Sequence, residues 1–216
     1  KNEPGDDSDQ VFQGTIVQSG RGTAVVTATG ANTYTWNSSP TLNNSNTYTL
    51  IATPTVSTLY TVTGTFTNNC INTQTINILV NPNPTITVNS PTICVGTTAT
   101  LTAIGASSFV WNTTETTASV TQSPSIQTAY TVTGTDANGC TNFTTSTIYV
   151  NTLPTITVNS ATICQGQQTA TLIANGADTY LWNTTATTAS ITASPNTLTT
   201  YTVVGLDQTT NCSNTS

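Results

Sequence analysis

The sequence predicts an all-β chain of three tandem immunoglobulin-like β-sandwich domains arranged as a rod, and three observations predict it. First, 57 of its 216 residues are Thr, with Val, Ile and Tyr abundant beside them. β-Branched and aromatic side chains fit a pleated, half-buried surface. Second, short alternating runs such as Tyr130-Thr-Val-Thr133 put apolar residues on one face and Thr on the other. That is how a sheet with one dry face reads. Third, the pattern recurs. Pro84-Thr-Ile-Thr-Val-Asn-Ser-Pro-Thr-Ile-Cys94 returns as Pro154-Thr-Ile-Thr-Val-Asn-Ser-Ala-Thr-Ile-Cys164, and Tyr60, Tyr130 and Tyr201 lie 70 and 71 residues apart. A fixed period of this size means several small units rather than one domain.

Each unit runs through the same elements in the same order. In the middle unit, strands are expected near 85–88, 98–104, 109–111, 118–121, 130–134 and 144–150, with Asn138-Gly139 as a tight turn before the last of them. The first unit keeps the order Gly30, Trp36, Tyr60, Cys70, but extra residues around Thr41 to Asn46 separate Trp36 from Trp111 by 75 positions. The expected organisation is an acidic, flexible segment 1–10 followed by repeats 11–82, 83–152 and 153–216. The linkers Val80-Asn-Pro-Asn-Pro84 and Val150-Asn-Thr-Leu-Pro154 are short and contain proline, which stiffens the joints.

Trp36, Trp111 and Trp182 occur once per repeat at the same position. They are expected in the core, as the central Trp of an Ig-like sandwich is, with Tyr60, Tyr130 and Tyr201 as its corner tyrosines. The alternative is that the tryptophans are exposed platforms for sugar rings.

A sandwich this small has a thin core and needs fastening. Cys94 with Cys140 and Cys164 with Cys212 are the expected bridges, one per repeat at matched positions. Each would stabilise by roughly 4 kcal/mol in the chain-entropy view, and both imply an oxidising compartment. The first repeat holds a single cysteine, Cys70, and has the stretch Val17 to Arg21 where the middle repeat has Cys94. Cys70 reads as a vestigial thiol whose mate was lost, or as a link to another copy.

Only ten residues are charged, and just two of them, Lys1 and Arg21, are basic. Nucleic-acid and anionic-membrane binding both need clustered Lys and Arg, so neither is expected. No apolar run approaches the ~20 residues of a membrane span. Without His, and with Glu115, Asp136, Asp178 and Asp207 in non-equivalent places, the chain offers no general base and no paired carboxylates, so an enzyme is not expected. Zinc is not expected either, since two Cys per unit cannot supply four ligands. Calcium has one candidate place, the carboxylates of Asp6, Asp7 and Asp9. A solvated acidic terminus is the commoner meaning of such a cluster. Asp136-Ala-Asn138 offers two more oxygen ligands but reads first as a turn.

Thr-Ile-Cys-x-Gly, the strand around Thr100-Leu-Thr-Ala103, the central Trp-Asn, the run Tyr130-Thr-Val-Thr-Gly-Thr-Asp-Ala-Asn-Gly-Cys140 and the linker before Pro84 together resemble a known repeat type. It is the PKD-like and Ig-like repeat of large Bacteroidota surface proteins associated with type IX secretion and gliding motility. The resemblance covers the chain after about residue 11. It implies β-sandwich modules, export to the cell surface, and roles in adhesion or filament building. The C-terminal sorting domain of such cargo is missing, so either a fragment or a different export route is expected. The missing signal peptide points to a mature chain or a fragment.

The third repeat stops at Ser216, four residues past Cys212, where the middle repeat goes on to its last strand. The expectation is that this strand is missing, because the sequence is only part of the protein, or is donated by a neighbour. The donor would be Val11, Phe12, Thr15, Ile16 and Val17 of the next copy. The expected function is a structural subunit or stalk of an extracellular filament or adhesin that self-associates and meets surface glycans or other cells. The alternative is a carbohydrate- or calcium-dependent binding module of a larger secreted protein.

Overall fold

The computed structural model describes residues 13–14 and 22–216, apart from 38, 44, 45, 47, 68, 165 and 167. Among the described residues every regular element is a β-strand, and no helix is long and apolar enough to cross a membrane. Asp6, Asp7 and Asp9, and the rest of segment 1–10, lie outside the described residues.

The strands fall into three sets that follow one plan. The first set comprises β1 (Gln13–Gly14), β2 (Ala24–Thr27), β3 (Thr33–Trp36), β4 (Thr49–Ala52), β5 (Thr58–Thr65) and β6 (Ile71–Ile78). They form the sheets β1-β2-β4 and β3-β5-β6. The middle set comprises β7 (Thr87–Val88), β8 (Thr92–Cys94), β9 (Ala99–Ile104), β10 (Ser108–Trp111), β11 (Ser119–Gln122), β12 (Thr128–Thr135) and β13 (Thr141–Asn151). Its sheets are β7-β9-β11 and β10-β12-β13-β8. The third set comprises β14 (Thr157–Val158), β15 (Ala170–Asn175), β16 (Thr179–Trp182), β17 (Ser190–Ala193), β18 (Val203–Asp207) and β19 (Cys212–Thr215), in the sheets β14-β15-β17 and β16-β18-β19. In each set the first, second and fourth major strands share one sheet, and the third, fifth and sixth share the other. This is the A-B-E and C-F-G distribution of an immunoglobulin-like sandwich, and it makes the chain an all-β protein of tandem Ig-like strand sets.

By compactness the chain divides differently, into two units. One is drawn from Lys1–Thr87, Ile104–Ala118 and Val132–Thr144; the other from Val88–Ala103, Ser119–Thr131 and Thr145–Ser216.

In the first unit, alternation along β2 and β4 buries Ala24, Val26, Leu50 and Ala52 while Val25 and Ile51 face outward. Trp36, Tyr60, Val62 and Ile78 complete that core. The outward positions are Thr-rich for a reason. Thr27 and Thr49 sit opposite each other and hydrogen-bond at 3.3 Å, as do Thr63 and Thr73 at 3.4 Å. Such cross-strand pairs stabilise by about 0.2–1 kcal/mol each. A chain with almost no charge uses them where others use ion pairs.

The second unit repeats these devices. Ile156, Leu172, Ala174, Trp182 and Val203 form its buried cluster. The Asn of each Thr-Val-Asn-Ser motif bonds the second strand as backbone would. Asn89 Nδ2 donates to Thr100 O (2.9 Å) and Thr102 N donates to Asn89 Oδ1 (2.7 Å). Asn159 does the same with Thr171 O and Ile173 N, at 3.0 and 2.6 Å. A one-residue pairing thus continues the sheet past the end of each short first strand.

One expectation is corrected. The third set does have its last strand: Val204, Gly205, Leu206 and Asp207 of β18 pair with Thr215, Asn214, Ser213 and Cys212 of β19. Ser216 and Val203 then exchange two further backbone hydrogen bonds of 3.0 Å. Cys-Ser-Asn-Thr lacks the β-branched run that marks β13, so apolar patterning misses it. The hairpin needs only backbone partners and a left-handed Asn211 (φ 57°) to turn the chain. The strand is therefore not donated. The proposed donors Val11, Phe12, Thr15, Ile16 and Val17 lie outside the described residues, and Gln13 and Gly14 between them pair with Thr27 and Val26 of this same chain.

Gly105 and Gly176 are equivalent, at φ 104° and 100°, and a Cβ on either would run into the carbonyl oxygen of Thr85 or Thr155. Gly105→Ala and Gly176→Ala should each cost at least about 1–2 kcal/mol from the left-handed backbone alone, plus the clash. Gly96 has a similar φ of 85° but open space around it, so Gly96→Ala should cost visibly less. Chemical denaturation of the three variants, followed by circular dichroism, measures the difference.

Candidate functional site

The residues with chemistry of their own are the cysteines and the turns that carry them. Five cysteines occupy two kinds of place. Cys94 and Cys164 close the Thr-Ile-Cys-x-Gly stretch between a set's first and second strands. Cys70, Cys140 and Cys212 stand at the end of the turn that leads into a set's last strand. Asn69, Gly139 and Asn211, the residues just before them, all take a left-handed backbone at φ 63°, 78° and 57°. Phe66 N donates to Cys70 O and Asp136 N to Cys140 O, both at 2.9 Å, which fixes the same turn twice.

The disulfide joins Cys94 to Cys212, 118 residues apart, with a Cα–Cα distance of 5.7 Å. This corrects the expected bridges Cys94–Cys140 and Cys164–Cys212. Cys140 is a buried free thiol and Cys164 an exposed one. The reason is geometric. β8 runs parallel to the far end of β13, with Cys94 opposite Asn151. Cys140 stands just before the other end of that strand, which is 11 residues long. At about 3.3 Å per residue the strand is roughly 35 Å long, while disulfide partners have Cα atoms within about 7 Å. Two cysteines at matched positions of one sandwich are thus at opposite ends of it. Cys94 instead meets the last-strand turn of the following strand set.

The acidic residues serve these turns. Asp136 Oδ1 accepts from Asn138 N and Cys140 N, both at 2.8 Å, which is the turn reading of Asp136-Ala-Asn138. Asp178 Oδ2 accepts from Gln208 N at 2.8 Å. Asp207 Oδ1 accepts from Thr209 N at 2.8 Å and Thr210 N at 3.2 Å. The Thr210 and Thr209 amides hold the Asp207 carboxyl below its usual 3.8. Among the described residues no three of His, Cys, Asp and Glu gather where they could hold a metal ion.

The aromatic residues that recur once per repeat are structural. Trp36, Trp111 and Trp182 are each only 2% exposed. Trp111 Nε1 donates to Thr117 O and Trp182 Nε1 to Thr188 O, both at 2.9 Å. Tyr60 is buried and its hydroxyl bonds Thr41 Oγ1 at 2.6 Å, Tyr130 is buried, and Tyr201 is partly buried against the third core. Sequence reasoning passed over Asn142 and Asn214, whose Nδ2 atoms donate to Pro84 O (2.9 Å) and Pro154 O (3.0 Å). They tie the proline at the start of a set to that set's last strand. The signal was present as an Asn two residues after each last-strand cysteine.

No protein-family model and no curated protein matches the chain. Among solved structures it is similar to a Ca2+-stabilised adhesin that helps an Antarctic bacterium reach out and bind ice. That likeness has 17% identity, covers 95% of this chain and 72% of that one, and has a TM-score of 0.35. The complex of Dpr2 Ig1-Ig2 with DIP-Theta Ig1-Ig3 gives 10% identity over 96% of both chains, with a TM-score of 0.34. The insect immune protein hemolin gives 14% identity over 66% of this chain and 48% of that one, with a TM-score of 0.34. Likenesses this distant place the chain in none of these families.

Reduction, or Cys94→Ser, should destabilise the third strand set by about 2–5 kcal/mol, since a closed loop this long sits at the upper end of the chain-entropy range. Denaturant unfolding with and without dithiothreitol measures it, and Cys164→Ser should leave the curve unchanged. Because the folded-state pKa of Asp207 is depressed, its contribution is present above the ordinary carboxylate pKa of 3.8 and is lost as pH falls through the lower folded value. An NMR titration of Asp207 should give a midpoint below 3.8, and Thr210→Pro, which removes the first of the two donors, should raise it.

Proposed function

We propose that the chain is a non-enzymatic structural subunit or stalk of a bacterial extracellular filament or surface adhesin. It would be built as three Ig-like domains, 11–82, 83–152 and 153–216, after an acidic segment 1–10. The observation that carries this reading is the Cys94–Cys212 bridge. Its ends belong to successive strand sets, so it resists pulling the chain lengthwise rather than opening one sandwich. A joint of that kind suits a protein under tension outside the cell, in an oxidising compartment. The composition agrees. With Lys1 and Arg21 as its only basic residues, the chain gives trypsin-like enzymes two places to cut.

The partner would be a further copy of the chain, with surface glycans or other cells met at the exposed faces. The rival reading, a carbohydrate- or calcium-dependent binding module, is weakened by the tryptophans. Rings that are 2% exposed offer no stacking platform.

Purified, oxidised protein should form filaments visible by negative-stain electron microscopy at rising concentration. A chain that stays monomeric by light scattering throughout, and binds a defined sugar on a glycan array, would favour the rival instead.

A further inference from the structure

Gly64, Gly134 and Gly205 are equivalent. A Cβ added to any of them would stand 2.8 Å from the methyl of Ala31, Ala106 or Ala177. On Gly134 and Gly205 an isoleucine presses as well, Ile86 on the one and Ile156 on the other. At Gly64 the next atoms are instead those of the Tyr34 ring, at 3.7 and 3.9 Å. Among the described residues no isoleucine takes that place in the first set, and a pocket opens there, with Ala31, Tyr34, Gly64, Phe66 and Asn72 in its wall.

Asn72 matches Asn142 and Asn214. Each accepts at Oδ1 from the amide of the next residue, Thr73 at 2.8 Å, Phe143 at 3.0 Å and Thr215 at 2.9 Å, which holds the three side chains in one posture. Asn142 and Asn214 then give Nδ2 to Pro84 O and Pro154 O, two residues before the isoleucines. Among the described residues no carbonyl meets Asn72 Nδ2. The first set therefore keeps both halves of a receptor for Pro-x-Ile, an amide donor and an apolar socket beside it.

The sequence of the first repeat does not supply the match. Gln13 pairs with Thr27, three residues before Gly30, just as Asn89 bonds Thr102 and Asn159 bonds Ile173, three residues before Gly105 and Gly176. Aligned there, Pro84-Thr-Ile86 and Pro154-Thr-Ile156 correspond to Ser8-Asp9-Gln10. That tripeptide carries a charge and no aliphatic side chain, and burying it in such a socket would be costly.

We propose that the first strand set binds, at this pocket, an extended uncharged segment reading Pro-x-Ile. Its proline carbonyl accepts from Asn72 Nδ2, and its isoleucine lies over Gly64. Pro84–Ile86 and Pro154–Ile156 on their own sets show the pose. The partner is a different protein. In this chain Pro84–Ile86, Pro91–Ile93 and Pro154–Ile156 are engaged where they stand, and Pro124-Ser-Ile126 lies in a bend rather than extended. The site does not rest on the filament reading.

The probe is the synthetic peptide Asn-Pro-Thr-Ile-Thr-Val, the sequence of Asn83 to Val88, titrated into the isotope-labelled full chain and followed by NMR. Saturable shifts are expected at the Gly64 and Ala31 amides and the Asn72 side-chain amide, with Gly134, Ala106 and Asn142 unmoved. Serine in place of the peptide's isoleucine should weaken binding at least about tenfold. Asn72→Asp keeps the Oδ1 acceptor and removes the Nδ2 donor, and should weaken it about fivefold. No shift at millimolar peptide, or equal binding by the serine peptide, would overturn the site. Shifts of the same amides with protein concentration alone would put a second copy in the pocket and overturn the assignment to a different protein.

Discussion

Each strand set depends on one buried indole. Trp36, Trp111 and Trp182 sit at the last residue of equivalent strands, and the polar nitrogens of Trp111 and Trp182 bond a backbone carbonyl six residues on. Burying so large a side chain is favourable only if its N–H keeps a partner. The loop that follows supplies one, and in doing so takes an awkward shape. Thr114 and Thr185 sit at φ 78° and 70°, a backbone rare for β-branched residues. Trp111 N and Trp182 N close the same loop by donating to Glu115 O and Ala186 O at 2.9 Å. The aromatic core and the strained loop are one device, used at least twice.

The rest of the packing makes room for that core with small residues. Gly134 and Gly205 lie where a Cβ would collide with the side chains of Ile86 and Ile156, and with Ala106 and Ala177 at 2.8 Å. These isoleucines stand one residue before β7 and β14, two residues after the prolines whose carbonyls Asn142 and Asn214 hold. Strand entry, sheet pairing and linker geometry are thereby coupled. A charge-poor chain achieves this with amide and hydroxyl groups rather than ion pairs.

Much of this was legible in the sequence. In the middle set, alternation located β9, β10, β11, β12 and β13 to within about three residues at their ends. It missed β8, because three residues in parallel pairing leave no periodicity of their own. It also missed β19, whose Cys-Ser-Asn-Thr is defined by hydrogen bonds and not by apolar burial. The cysteines show the limit most clearly. Matched positions in successive repeats suggest mates within a repeat, one bridge fastening each unit. Position along a strand is what decides. Cys94 and Cys140 belong to opposite ends of β13, and no residue pattern reports that until the parallel pairing of β8 is seen.

The bridge joins successive strand sets instead of closing one of them. Disulfide mapping of the oxidised protein tests it most directly, with non-reducing digestion by a protease that cuts after apolar residues, followed by mass spectrometry. The result expected is a Cys94–Cys212 peptide with Cys140 recovered as a thiol. Recovery of Cys94–Cys140 and Cys164–Cys212 peptides would contradict it.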